Sequence, residues 1–187
     1  MEKELKSPQR RTLTKRLIQE AMLALLKTRS VQDITIRELC DAAGVNRTTF
    51  YNHYDGIYEV LGEIEENFLM QLADQKDFTH GQLDLAQHIE QLCEKLQKNR
   101  DIALLLLTNN VDPNFSAKLI KLQACGNVWN ETVSSYSPAE YELLAQFVSG
   151  GAYAMVCHWL ENGCQQTSRQ VAVLLTKVIQ NGFFPKK

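Results

Sequence analysis

The sequence holds no CxxC pair, no Cys/His group with zinc-ligand spacing and no stretch that alternates apolar and polar residues with period two. The first two absences exclude a structural zinc site and a disulfide framework, and the third excludes a sheet. Glycine and proline are scarce, nine and four in 187 residues, which excludes collagen-like repeats and low-complexity assembly. GxSxG, a phosphate-binding glycine loop, HExxH and a paired-carboxylate site are all missing, so no enzyme, cofactor or metal is expected. What remains is an ordinary globular composition, 44% hydrophobic and 22% charged, long enough for one large domain or two small ones sharing a core.

The five cysteines (Cys40, Cys93, Cys125, Cys157 and Cys164) stand singly. Their odd number, with no signal peptide in Met1-Glu2-Lys3-Glu4, gives the expectation of a reducing, cytoplasmic setting. Most fit the use of cysteine as a small buried hydrophobe, with a redox-sensing role for one of them as the alternative. One stretch, Leu143 to Leu160, has no Asp, Glu, Lys or Arg and approaches the length of a membrane span. It contains Gln146, Ser149, Gly150, Gly151 and His158, and glutamates rather than a basic cluster flank it. No membrane association is expected; a helix covered by its own domain and by a partner subunit explains the stretch better.

The net charge of −2 conceals an asymmetry. Residues 1–54 hold ten Lys/Arg against six Asp/Glu, and residues 55–187 hold ten against sixteen. A basic head on an acidic body keeps a nucleic-acid partner open despite the overall charge.

Nearly all of the chain reads as helix, about nine in total. Leu13, Leu17, Ala21, Ala24 and Leu25 give a first helix over roughly 9–28. Thr35-Ile36-Arg37-Glu38 is a capping box opening a second helix that Gly44 ends, and Asn46 caps a third running to about Tyr54. A fourth follows over about 56–75, with Ile57, Leu61, Ile64, Phe68 and Leu72 on one face. Gln82 to Asn99 and Ile102 to Leu107 continue the pattern, and Asp112-Pro113 starts a helix to about Val133. Ser137-Pro138-Ala139-Glu140 opens the uncharged helix, which Asn162-Gly163 ends. Thr167-Ser168-Arg169-Gln170 caps the last helix, which reaches Gly182.

The segment from Ile34 to Tyr54 carries the function. Two short helices joined by a tight turn with one glycine form a helix-turn-helix. Ile36, Leu39, Cys40, Ala43, Val45 and Phe50 are the expected contacts between them, and small Ala42 and Ala43 allow close approach. The exposed face of the second helix then carries groups suited to DNA. Thr35 and Asn46 cap helix N-termini and suit phosphate, while Arg47 can meet a guanine edge or a phosphate. Thr48 and Thr49 offer hydroxyl and methyl groups, and Tyr51 and His53 are expected against the backbone. Arg10, Arg11, Lys15 and Arg16 add positive charge near the start of the first helix.

These residues resemble the TetR/AcrR family of bacterial transcriptional regulators. The resemblance rests on Ile34-Thr35-Ile36-Arg37-Glu38-Leu39, Ala42-Ala43-Gly44-Val45 and Thr49-Phe50-Tyr51-Asn52-His53-Tyr54, and covers roughly residues 10–70. It implies an all-α homodimer, usually a repressor, with residues 1–54 as the DNA-binding head, about 56–75 as a connecting helix and 76–187 as the regulatory and dimerisation body. It implies double-stranded operator DNA as partner and Thr35, Arg37, Asn46, Arg47, Thr48, Thr49, Tyr51 and His53 as contacts. One departure is Ile57, where members often carry a phosphate-contacting lysine. It opens the alternative of a protein-interaction module or coactivator with weak or no operator binding.

The body is similar to one common subtype through Phe147-Val148-Ser149-Gly150-Gly151 and Trp159-Leu160-Glu161-Asn162-Gly163. Two adjacent glycines cost a helix about 1 kcal/mol each relative to alanine, so another backbone is expected to approach there. Ser149, Gly150, Gly151 and Ala152 are the expected dimer contacts, with a kink or an intrachain contact as the alternative. Phe115, Cys125, Trp129, Tyr153, Met155, His158 and Trp159 are the residues expected to line a pocket, and few charges on these faces point to a small, apolar or neutral effector.

Overall fold

The computed structural model describes residues 7–73, 85–108, 115, 118–119 and 137–181. Among these are eight α-helices and no strand. They are α1 (Ser7–Leu26), α2 (Ile36–Ala43), α3 (Arg47–Tyr51), α4 (Ile57–Leu72), α5 (Leu85–Lys98), α6 (Arg100–Thr108), α7 (Pro138–Glu161) and α8 (Ser168–Asn181). Phe115 and Lys118–Leu119 are also helical, within the helix anticipated after Asp112-Pro113; most of that helix, with Cys125 and Trp129, lies outside the described residues. The chain divides into two units, Met1–Phe68 and Leu69–Lys187, with the division inside α4.

In the first unit, α1 buries Ile18, Ala21, Met22 and Leu26. This is a different stripe from the one anticipated: Leu17 is exposed, and only Ala21 belongs to both. The run Ala21-Met22-Leu23-Ala24-Leu25-Leu26 is apolar on every side, so spacing alone could not choose the face; packing did. Leu39, Cys40, Ala43 and Phe50 are buried between the short helices, whereas Ile36 and Val45 are half-buried and Ala42 is exposed. The single small residue Ala43 therefore faces the contact. A 3-10 turn at Val31–Asp33, which no capping signal announces, leads into α2 and buries Val31.

Gly44 ends α2 at φ +66°, its N–H bonding back to the Asp41 and Cys40 carbonyls. Left-handed backbone at this position lets Val45 N–H return to the Cys40 carbonyl at 3.0 Å and aims the chain into α3. α3 is shorter than anticipated: Asn52 leaves the helix, and His53 and Tyr54 return their amides to the Phe50 carbonyl at 2.9 and 3.0 Å. That turn buries Tyr54 against Phe50, ring centroids 5.9 Å apart.

In the second unit the most extensive contact is α5 on α8, through Cys93 and Leu96 on one side and Val171, Ala172 and Leu175 on the other. Lys95 Nζ donates to the Leu72 carbonyl at 3.2 Å, placing a cation on the C-terminal end of α4. α6 and α7 cap each other. Arg100 at the start of α6 donates to the Leu160 and Glu161 carbonyls at 2.7 and 3.4 Å, and Tyr153 of α7 donates to the Leu107 carbonyl near the end of α6 at 2.6 Å. The Asn162-Gly163 stop is present, with Gly163 at φ +75° and Cys164 following it at φ +54°. α7 is long and apolar enough to cross a membrane by length and composition, yet its last carbonyls are bound to α6.

Among the described residues of α7, Trp159 and Leu160 are buried, while Leu143 and Phe147 are 72% and 62% exposed. α7 runs unbroken through Gly150 and Gly151. Among the described residues no other part of the chain comes within 4 Å of a Cβ placed at either glycine.

Gly44→Ala should lower unfolding stability by about 1–2 kcal/mol through the left-handed backbone alone, since its added methyl meets open space. Chemical denaturation of the two proteins checks this; equal midpoints would mean that the turn tolerates a right-handed conformation.

Candidate nucleic-acid interface

The helix-turn-helix is organised by one carboxylate. Glu38 accepts from the Thr35 amide at 3.0 Å and the Thr35 hydroxyl at 2.7 Å, while its own amide donates to Thr35 Oγ1 at 3.2 Å, completing the capping box. Its other oxygen takes Arg29 at 2.7 Å, and the same guanidinium donates to the Asp33 carbonyl. Arg29 thereby ties the end of α1 and the 3-10 turn to α2. Its hydrogen bonds, followed by those of Thr35, hold the Glu38 carboxyl down at about 2, well below its ordinary 4.5. Nothing local in the sequence marks Arg29 for this role.

α3 begins with the Asn46 side chain, whose Oδ1 accepts from the Thr49 amide at 2.7 Å. Asn46, Arg47 and Thr48 are all exposed, as is Tyr51 at 55%. Thr49 is half-buried beside them. On α2, Arg37 is exposed and lies 3.9 Å from Asp41, too far for a strong pair. Arg37, Asn46, Arg47, Thr48 and Tyr51 are thus free to meet a partner. Thr35 is not in the same position, because both functions of its hydroxyl are engaged by Glu38.

Behind α3, Lys15, Gln19, Tyr54 and Glu63 form a cluster that the sequence reading missed. Lys15 Nζ meets both Glu63 oxygens at 2.8 and 3.0 Å and lies 5.1 Å above the Tyr54 ring, and Gln19 donates to the Tyr54 hydroxyl at 3.0 Å. Burial, followed by the bond to Glu63, pushes the Tyr54 phenol up. Lys15 is therefore a packing cation, and Arg16 pairs with Glu20 at 3.3 Å. Of the four basic residues anticipated near the start of α1, Arg10 and Arg11 remain exposed and unpaired among the described residues. His53 is half-buried; burial, with Arg11 and Lys15 nearby, lowers its pKa and favours the neutral ring.

At the start of α4, where a lysine would meet phosphate in the family pattern, the Asp55 amide donates to the Glu59 carboxylate and Ile57 is half-buried. That end carries acidic groups in place of the cation.

Of the residues anticipated around a pocket, Phe115 and Trp159 are buried, and the Trp159 indole donates to the Gln166 carbonyl at 2.9 Å. Tyr153 and Met155 are half-buried. His158 does not line an interior: it is exposed, and its ring bonds Asn162 Nδ2 at 2.9 Å, because it falls on the outer side of α7.

A helical head built on this helix-turn-helix, followed by a helical body, defines the class of DNA-binding transcriptional regulators. Residues 84–181, just over half of the chain, match the family TetR_C_8, described as a transcriptional regulator C-terminal region. The chain belongs to the TetR family of DNA-binding transcriptional regulators. A TetR transcriptional regulator from Streptococcus agalactiae 2603V superposes with a TM-score of 0.68 at 23% identity, covering 91% of this chain and 95% of that one. The regulator FadR from Bacillus subtilis, solved in complex with stearoyl-CoA, gives 0.64 at 12% identity, covering 90% and 99%. These two share the fold. An uncharacterized HTH-type transcriptional regulator of Bacillus subtilis strain 168, YxbF, is 36% identical over 50 residues, 27% of this chain; the match spans only 13% of that relative's length.

Because the folded Glu38 carboxyl titrates below its unfolded value, its contribution is fully present above about pH 4.5 and is lost as pH falls toward about 2. The stability difference between the wild type and Glu38→Gln should therefore be flat from neutral pH down to about 5 and shrink below it. A difference that stays constant from about pH 5 down to about 2, followed by denaturation at each pH, would contradict the Arg29–Glu38–Thr35 arrangement.

Proposed function

We propose that the chain is a homodimeric, ligand-responsive repressor that binds a palindromic operator in the cytoplasm and leaves it when a small, apolar or neutral effector enters the body. Residues 1–54 read the DNA, α4 connects, and residues 76–187 sense and dimerise. The observation that carries this reading is the exposed, carboxylate-free set Asn46, Arg47, Thr48 and Tyr51 at the outer face of the helix-turn-helix. Arg47 and Thr48 meet base edges, Asn46, Tyr51 and Arg37 meet phosphate, and Thr49 and His53 contribute from the half-buried edge. Thr35 contributes through its position at the start of α2, its hydroxyl being held by Glu38.

Dimerisation is supported by α7. Leu143, Phe147, Gly150 and Ala154 recur every three to four residues along one exposed line, and Leu174 of α8 is also exposed. Gly150 and Gly151, open within the chain, with Ser149 and Ala152 beside them, fit the close passage of a partner helix. Two heads must then meet half-sites about 34 Å apart, so an effector that changes the separation of the heads changes operator affinity.

The acidic start of α4 favours a second reading, a TetR-fold interaction module with weak or no operator binding. Titration of labelled duplexes from the chain's own promoter region at moderate salt separates the two. The repressor reading expects a retained duplex and a loss of about 1–3 kcal/mol of specific binding in Arg47→Ala with the dimer intact. No retention by a well-folded dimer favours the interaction module.

Phe147→Glu should convert the dimer to monomer in sedimentation equilibrium while leaving the helical circular dichroism unchanged. A wild type that sediments as a monomer at micromolar concentration would end the homodimer reading.

A further inference from the structure

We infer that Arg11 of α1 is a phosphate-contacting residue of this regulator, taking the place of the cation that is absent from the start of α4; this rests on the DNA-binding reading above. The start of α4 cannot serve, since Ile57 supplies no charge and Glu59 turns its carboxylate onto the Asp55 amide beside it. Any phosphate that passes this edge of the head must be neutralised from elsewhere.

The geometry of α1 supplies the candidate. Arg11, Lys15 and Gln19 are spaced four apart and share one face of the helix. Gln19 reaches the Tyr54 hydroxyl, and Lys15, one turn earlier, covers the Tyr54 ring and bonds Glu63 of α4. This face therefore follows the junction between α3 and α4, and Arg11 is its next step outward. The charge of Arg11 also acts on His53, the residue before Tyr54, in keeping with that placement.

Availability separates Arg11 from Lys15, Arg16 and Arg29, and position separates it from the equally exposed Arg10, which lies about 100° around α1 from the Arg11–Lys15–Gln19 face. Lys15 is neutralised by Glu63, Arg16 by Glu20 and Arg29 by Glu38. Arg11 is exposed and meets no carboxylate at ion-pair distance among the described residues. Lys27 is also exposed, but it lies sixteen residues further along the chain, about 24 Å away if the helical rise is continued.

The test measures anisotropy of a labelled random-sequence 30-bp duplex with the full chain between 50 and 200 mM salt, since phosphate contacts are independent of sequence. Arg11→Gln and Lys27→Gln remove equal charge from exposed sites and retain good helix propensity. Arg11→Gln should flatten the salt dependence by about one unit of slope and weaken binding by about eight-fold at 0.1 M salt, while Lys27→Gln tracks the wild type. An unchanged slope in Arg11→Gln, or equal losses in the two variants, would overturn the assignment while leaving DNA binding intact. If the wild type itself fails to bind the duplex at 50 mM salt, the DNA-binding reading falls, and this inference falls with it.

Discussion

The geometry of the head depends on the Glu38 carboxylate, which satisfies a helix start and a distant guanidinium at the same time. Without it the Thr35 amide that precedes α2 would need water, and Arg29 would lose the anchor that joins the 3-10 turn to the helix. The bonds are charge-assisted and short, so they define direction more than they add stability at this exposed position. Direction is what a reading head needs. α2 is held at its start by Glu38 and at its end by Gly44, and α3 leaves that second point already aimed. Asn46, Arg47 and Thr48 then present their side chains from a backbone with little freedom of its own, which lowers the ordering cost of meeting a partner.

The same economy explains why counting charges by segment was informative but incomplete. Residues 1–54 have a net positive charge, yet several of the cations are spent on folding. Lys15 closes the back of the head with Glu63 and Tyr54, and Arg29 closes the front with Glu38. The cations left for an outside polyanion are fewer and lie at the edge of the fold. The field that would attract DNA at a distance is set by all of them together, whereas contacts at close range come from those without an internal partner.

Much of this was legible in the sequence. Capping boxes at Thr35 and Ser137, the Asn46 cap and the Gly44 and Asn162-Gly163 stops all have local causes, and each is present. The buried face of α1 was misread because its apolar run allows two stripes, and His158 was misassigned because an uncharged helix gives no sign of which side faces inward. Arg29, Lys15 and Arg100 escaped for a different reason. Their partners lie nine, forty-eight and sixty residues away, and no spacing rule reaches that far.

In the dimer proposed above, α7 would link folding to assembly. A helix this apolar is tied to α6 by its own Tyr153, which donates to the Leu107 carbonyl, and by Arg100 of α6, which donates to the Leu160 carbonyl at its end. These bonds satisfy polar groups but leave Leu143, Phe147 and the two glycines in solvent. Burying a leucine or phenylalanine side chain is worth about 1.5–3 kcal/mol, so the proposed second copy would gain by covering this exposed line. Polar bonds on one side of α7 would then fix where the helix lies, and apolar contact on the other side would determine how two chains meet. A shift of α6 that disturbed Arg100 or Tyr153 would reach α7 directly, because the same helix carries both sets of contacts.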